Sequence, residues 1–155
     1  MNTICADKVE KIILAAAQDM GLNPAHGKML AQGLIEPTLR GVDSHGIRLL
    51  STYMEEVKGG RANANPNFNC RASLPAVLQF DADNALGVIA AYSAADEVAK
   101  IAKIYGIGAV AVKNANHFGA ASNYTLALAR QGLIGLSMSN ADALVAPFGG
   151  TEKCF

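Results

Sequence analysis

The chain has 155 residues, and its 13 Lys and Arg balance 13 Asp and Glu for a formal charge of zero. With 51% hydrophobic and only 17% charged residues, a disordered chain is excluded. Neutrality argues against a nucleic-acid partner, because phosphate contacts rest on clustered Lys and Arg. No apolar run nears the ~20 residues that a membrane helix needs. The early apolar run at 12–17 lacks a signal-peptide layout, so no membrane partner is expected and the expected location is cytoplasmic. Cys5, Cys70 and Cys154 are too far apart in sequence for a metal clip; they read as reduced thiols, and no metal site is expected.

Val9, Ile12, Ile13, Ala16 and Met20 recur at helical spacing and predict a first helix over 6–20, stopped by Gly21. Asn23-Pro24 reads as an N-cap followed by proline at the first helical position. It opens a second helix over 24–40, with Met29, Leu30, Leu34 and Ile35 as its apolar stripe. Pro37 is expected to kink or end it. The polar break Gly41-Val42-Asp43-Ser44-His45-Gly46 precedes a third helix, with Leu50, Tyr53, Met54 and Val57 on one side and Gly59-Gly60 at its end. Residues 61–69, Asn-rich and carrying Pro66, read as a loop or boundary. A short apolar run at 76–80 and a turn at 81–84 follow. A long helix then spans 86–105, its broad apolar face built from Val88, Ile89, Tyr92, Ala95, Val98, Ala99 and Ala102. Residues 107–112 read as a buried strand, 120–130 as a helix and 133–138 as a second buried strand. Strand, helix, strand with near-continuous apolar strands implies an α/β layer. The expected fold class is α/β, with a helical segment over 1–65 and an α/β segment over 66–155.

Several familiar chemistries lack their signatures. Gly106-Ile107-Gly108 starts like a dinucleotide loop but lacks the third glycine and precedes a strand instead of following one. Walker and His-Glu-x-x-His motifs are missing, and residues 135–139 fail as a nucleophile elbow because Ser139 stands where glycine is required. Two histidines sit in glycine-punctuated breaks: His45 before the third helix, and His117 in Asn114-Ala115-Asn116-His117-Phe118-Gly119, between a strand and a helix. Histidine exchanges protons near neutrality, and strand ends feeding helices are where α/β proteins place ligand chemistry. Each is a candidate acid/base, the alternative being a capping or packing residue. His26, early in a helix, is expected to be exposed. Arg48, one turn after Ser44 and His45, is a candidate fork for a substrate carboxylate or else a solvated helix residue. Tyr53, two turns after His45, faces the same site or fills the core. The small and polar Ser139-Asn140-Ala141-Asp142 suits close approach by a cofactor, or is a plain loop.

Taken together, Gly41-Val42-Asp43-Ser44-His45-Gly46 with Arg48, Tyr53 and Gly59-Gly60 behind it resembles the malate/L-lactate dehydrogenase family of the second type. That family also holds ureidoglycolate, diketogulonate, sulfolactate and pyrroline-carboxylate enzymes. Asn116-His117-Phe118-Gly119-Ala120-Ala121 is similar to its second motif. Gly132-Leu133-Ile134-Gly135, Ser139-Asn140 and Val145-Ala146-Pro147-Phe148-Gly149-Gly150 are similar to its third. The resemblance implies an oxidoreductase using NAD or NADP without a Rossmann fold. It also implies a helical domain, an α/β cofactor domain and a homodimer in the complete protein. Ser44, Arg48 and Tyr53 would face a 2-hydroxy or 2-oxo acid, His117 or His45 would be the acid/base, and Asn140 and Ala141 would touch the nicotinamide cofactor. Many members carry their arginine four residues after the first histidine, where Leu49 stands here, and proline where Ala143 stands. Members are more than twice as long, so the chain is expected to hold the amino-terminal part of such an enzyme, the alternative being a truncated and inactive fragment.

Overall fold

The computed structural model describes residues 3–140, 143 and 145–153. Helix α1 (Ala6–Asp19) buries Ile13 and Ala17 and packs on α2 (Pro24–Leu39), which starts as its sequence dictates. Asn23 Oδ1 accepts the His26 backbone N–H at 2.9 Å, and Pro24 takes a first-turn position where no N–H is needed. His26 itself is half-buried instead of exposed. Its ring centroid lies 5.6 Å from that of Phe68, which folds back over the start of α2, and burial lowers its pKa.

Helix α2 passes through Pro37 and ends two residues later, at Leu39. A proline has no N–H to give the carbonyl four residues back, here that of Gly33. That carbonyl instead accepts the side-chain amide of Asn123 at 2.9 Å, and Asn123 is 0% exposed. Gly33 is also a point of close approach, since a Cβ there would collide with Val88 Cγ1. Two 3-10 turns, Asp43–His45 and Ile47–Leu49, then lead into α3 (Leu50–Lys58).

Strands β1 (Asn69–Leu74) and β2 (Val77–Ala85) pair antiparallel, with Ala72 opposite Leu78. Strand β3 (Ala109–Ala115) lies parallel to β2 on its other side, with Val77 opposite Ala109. Parallel neighbours need a crossover, which α4 (Gly87–Tyr105) supplies. The chain is therefore mixed α/β. Helix α4 lies between two buried clusters. Its Ala90 and Ala94 meet Phe80, Ala82 and Ala85 of the sheet. Its Val88, Ile89, Tyr92 and Ala95 join Ile13, Leu30, Leu34 and Tyr53, together with Tyr124 of α5 (Ser122–Ala129).

Three expectations change. The turn at 81–84 is absorbed into β2: Asp83 and Asn84 take φ of 48° and 59°, and the register with β3 shifts between Asp81 and Ala85. Asp and Asn tolerate the left-handed region, so the pair makes an irregularity within a strand instead of reversing the chain. Asp81 secures that end of the sheet. Its carboxylate accepts from Asn114 Nδ2 at 2.9 Å and pairs with Lys113 Nζ at 2.9 Å, and these bonds lower its pKa to about 2. The strand expected over 107–112 starts two residues later and is mostly exposed. The strand expected over 133–138 is missing; Ile134, Leu136 and Met138 are 100%, 85% and 86% exposed. Both departures have one cause. An apolar run becomes a buried strand only with a ladder partner and a covering layer, and among the described residues β3 is paired on one side alone. The run at 133–138 rests on α5 through Gly135, where a Cβ would lie 2.9 Å from Leu128 Cδ1.

Asn123→Ala leaves the Gly33 carbonyl unserved and is expected to cost about 1–3 kcal/mol in urea unfolding. The loss should shrink in a Pro37→Ala background, where the restored N–H at position 37 serves the same carbonyl. An equal loss in both backgrounds would contradict this coupling.

Candidate active site

The His117 loop is fixed from two directions. Asn116 Nδ2 donates to the carbonyls of Asn84 at 2.9 Å and Ala85 at 3.0 Å, while its backbone N–H donates to Ala85 at 3.1 Å. Gly87, the first residue of α4, lies directly against the loop; a Cβ there would sit 2.7 Å from the His117 carbonyl carbon. Gly119, with φ of +70°, turns the chain towards α5, and Tyr124 Oη donates to the Phe118 carbonyl.

The His45 loop is fixed by Thr38, near the end of α2. Thr38 Oγ1 donates to the Leu34 carbonyl at 2.8 Å and accepts the Ile47 N–H at 2.9 Å. Gly46 fits because it has no side chain, as a Cβ would collide with that same oxygen. This turn presents Ser44 and His45, with Ser44 Oγ 2.9 Å from His45 Nδ1.

The two loops bring their histidines together from 72 residues apart in sequence. The imidazole rings lie 5.8 Å apart by centroid and 24° from parallel. Tyr53 Oη is 3.0 Å from His117 Nδ1, and the tyrosine is 0% exposed. Burial, and then the Glu56 carboxylate, push the Tyr53 phenol well above its ordinary pKa, so it stays protonated. His117 moves the other way: burial and then His45 lower its pKa, with Glu56 opposing them. A hydroxyl thus occupies the Nδ1 side of each imidazole. Among the described residues neither Nε2 has a hydrogen-bond partner, and His117 keeps an exposed surface. Ser44, His45, Tyr53 and His117 are gathered here. Arg48 is exposed on the neighbouring turn, and its side chain makes no hydrogen bond or ion pair among the described residues.

A cavity of about 610 Å³ adjoins the loop, lined by Gly87 and Ala91 of α4, Val110 to Asn116, Phe118, and Leu136 to Asn140. Asn116 and Phe118 line it, while His117, between them in sequence, packs against His45 and Tyr53. Asn140 is on the cavity wall; Ala141 lies outside the described residues. Among the described residues no group of three or more His, Cys, Asp or Glu is placed to hold a metal, and no helix is long and apolar enough to cross a membrane.

The malate/L-lactate dehydrogenase family model matches residues 4–155. The chain belongs to this family. The solved structure of malate dehydrogenase from Pyrococcus horikoshii OT3 superposes on it with a TM-score of 0.90 at 34% identity, covering 98% of this chain and 44% of that one. L-sulfolactate dehydrogenase from Methanocaldococcus jannaschii is 34% identical over 144 residues, 93% of this chain and 42% of that protein. Ureidoglycolate dehydrogenase (NAD(+)) from Escherichia coli O157:H7 is 36% identical over 132 residues, 85% of this chain and 38% of that protein. The chain thus spans about two fifths of the length of these relatives.

Sequence reading missed residues that hold the candidate site together. Asn116 stood in a motif without a task, and the close approach of Gly87 to the His117 backbone leaves no pattern in sequence. Asn123 and Arg40 have no signal either, since their partners are more than 80 residues away. His45→Gln removes one of the two influences that depress His117. The His117 titration, followed by ring-proton NMR, is expected to move up towards its ordinary value of 6.5. No change, or a downward move, would contradict the pairing.

Proposed function

We propose that the complete protein is an NAD- or NADP-dependent oxidoreductase that moves a hydride between nicotinamide and a 2-hydroxy or 2-oxo acid, with a histidine as acid/base. The observation that supports this is the meeting of His117 with His45 and Tyr53 on a loop whose Asn116 and Phe118 line the cavity. Residues 1–65 are read as the helical segment and 66–155 as the first part of the cofactor domain, within a cytoplasmic homodimer. Malate, sulfolactate and ureidoglycolate, in the names of the relatives, each carry a hydroxyl next to a carboxylate.

The cavity fits a nicotinamide nucleotide. Alanines 91, 94 and 95 offer a small-residue wall for a flat ring, and Asn116, Ser139 and Asn140 offer amide and hydroxyl groups for a carboxamide or ribose. Asn140 and Ala141 are the assigned cofactor contacts. The nicotinamide supplies hydride acceptance or donation when bound.

His117 Nε2 takes the substrate hydroxyl proton as the alcohol is oxidised and returns it as the oxo acid is reduced. Tyr53 serves both states. While the imidazole is neutral, Nδ1–H donates to the phenol oxygen and leaves Nε2 free to take the proton; the same bond persists once the ring is charged, which holds it in place. The depressed pKa keeps His117 neutral at neutral pH, the form that takes a proton. Reduction needs the charged form and falls as pH rises. His45, oriented by Ser44, is its partner or alternate on the opposite side. Arg48, free to swing from its exposed turn, supplies a fork for the substrate carboxylate.

A second reading is that these 155 residues alone are an inactive piece of such an enzyme; the exposed Ile134, Leu136 and Met138 beside an open cavity favour it. In the complete protein His117→Ala is expected to lower kcat by about 10²–10⁴-fold while leaving cofactor affinity within a fewfold. Near-normal turnover would overturn the assignment. Robust oxidation of NADH or NADPH by the isolated 155 residues with a 2-oxo acid would overturn the second reading.

A further inference from the structure

We infer that Arg40 is a positioning residue that holds the two histidine loops at their working separation. The inference rests on the acid/base reading of His117 and extends it to a residue that touches neither substrate nor cofactor.

Arg40 caps α2 five residues before His45, and α5 begins five residues after His117. Its guanidinium joins these two points. Nη2 donates to Ser122 Oγ at 3.0 Å and to Asn123 Oδ1 at 2.9 Å, in the first turn of α5. The far end of the same Asn123 amide is held by the Gly33 carbonyl, so Arg40 grips a group that cannot turn away. On its other side Arg40 Nη1 faces Glu36 Oε2 at 3.6 Å, and Glu36 Oε1 takes Arg130 Nη1 at 2.5 Å. The Arg40 side chain is 32% exposed, so much of this fork is shielded from water.

The fork has a specific task. The two imidazoles face each other with centroids 5.8 Å apart, and the nearness of His45 disfavours the charged form of His117. Tyr53 steadies His117 and Ser44 steadies His45, yet neither bond spans the two loops' exits from their helices. Arg40 does, by fixing the end of α2 to the start of α5. Lysine is only a partial substitute, because its single nitrogen can donate to Ser122 and Asn123 but leaves no second nitrogen to face Glu36 as Nη1 does.

The test uses the complete protein and three measurements. Arg40→Ala is expected to lower kcat about tenfold or more, in line with the cost of misplacing a catalytic group, while Arg40→Lys recovers only part of it. Arg130→Ala breaks the neighbouring Glu36 bridge away from both loops and should stay within about twofold of wild type. In a His117→Ala background Arg40→Ala should add no further loss, because both act on one step. The His117 ring should also titrate higher in Arg40→Ala, as the influence of His45 recedes. Wild-type kcat in Arg40→Ala overturns the inference. So does a loss that adds to that of His117→Ala with the His117 titration unmoved, which marks general support of the fold. If Arg40→Ala does not fold, Arg40→Lys carries the same test: lowered kcat and raised His117 titration support it, and unchanged values overturn it. Failure of the acid/base reading shows separately, as retained turnover in His117→Ala alone.

Discussion

The buried amide of Asn123 is the joint on which the arrangement turns. Pro37 withholds an N–H from the Gly33 carbonyl, and an unserved buried carbonyl is costly. Asn123 meets that need from another helix and offers its oxygen to Arg40. A defect inside α2 thereby becomes a fixed contact between α2 and α5. Each of these helices borders one histidine loop, so a local backbone problem sets a long-range geometry. Gly33 contributes by letting α2 approach α4, and Gly87 contributes by letting the His117 loop lie on the first turn of α4.

The chemistry follows from that geometry. An isolated histidine titrates near neutrality, but here burial and the facing His45 both lower the His117 pKa while Glu56 pulls the other way. The buried Tyr53 phenol remains protonated and answers either state of the ring at Nδ1. The polar cluster and the cavity meet at a single loop, Asn116-His117-Phe118, where the proton and the hydride of the proposed reaction would be handled on adjoining sides.

Much of this was legible in the sequence where the signal is local. The Asn23-Pro24 cap, the apolar stripe of α2 and the long α4 depend on neighbours within a few residues, and they formed as read. The histidine motifs named side chains that the fold brings together, both of them on glycine-punctuated loops. What the sequence hid depends on distant partners. Residues 133–138 have strand-like composition but no ladder to join, and residues 81–84 have turn-like composition but sit inside a paired strand. His26 read as a surface residue because nothing local announces Phe68. The meeting of His45 with His117, and the grip of Arg40 on Asn123, are products of packing alone.

The central claim is that His45 and His117 flank one substrate position. Imidazole-ring NMR of the complete protein with NADH or NADPH, titrated with oxamate as an unreactive stand-in for a 2-oxo acid, tests it most directly. Resonances of both His45 and His117 are expected to shift together along one binding curve, while those of His26, packed against Phe68, stay in place. Saturable oxamate binding that leaves His117 unmoved would contradict it.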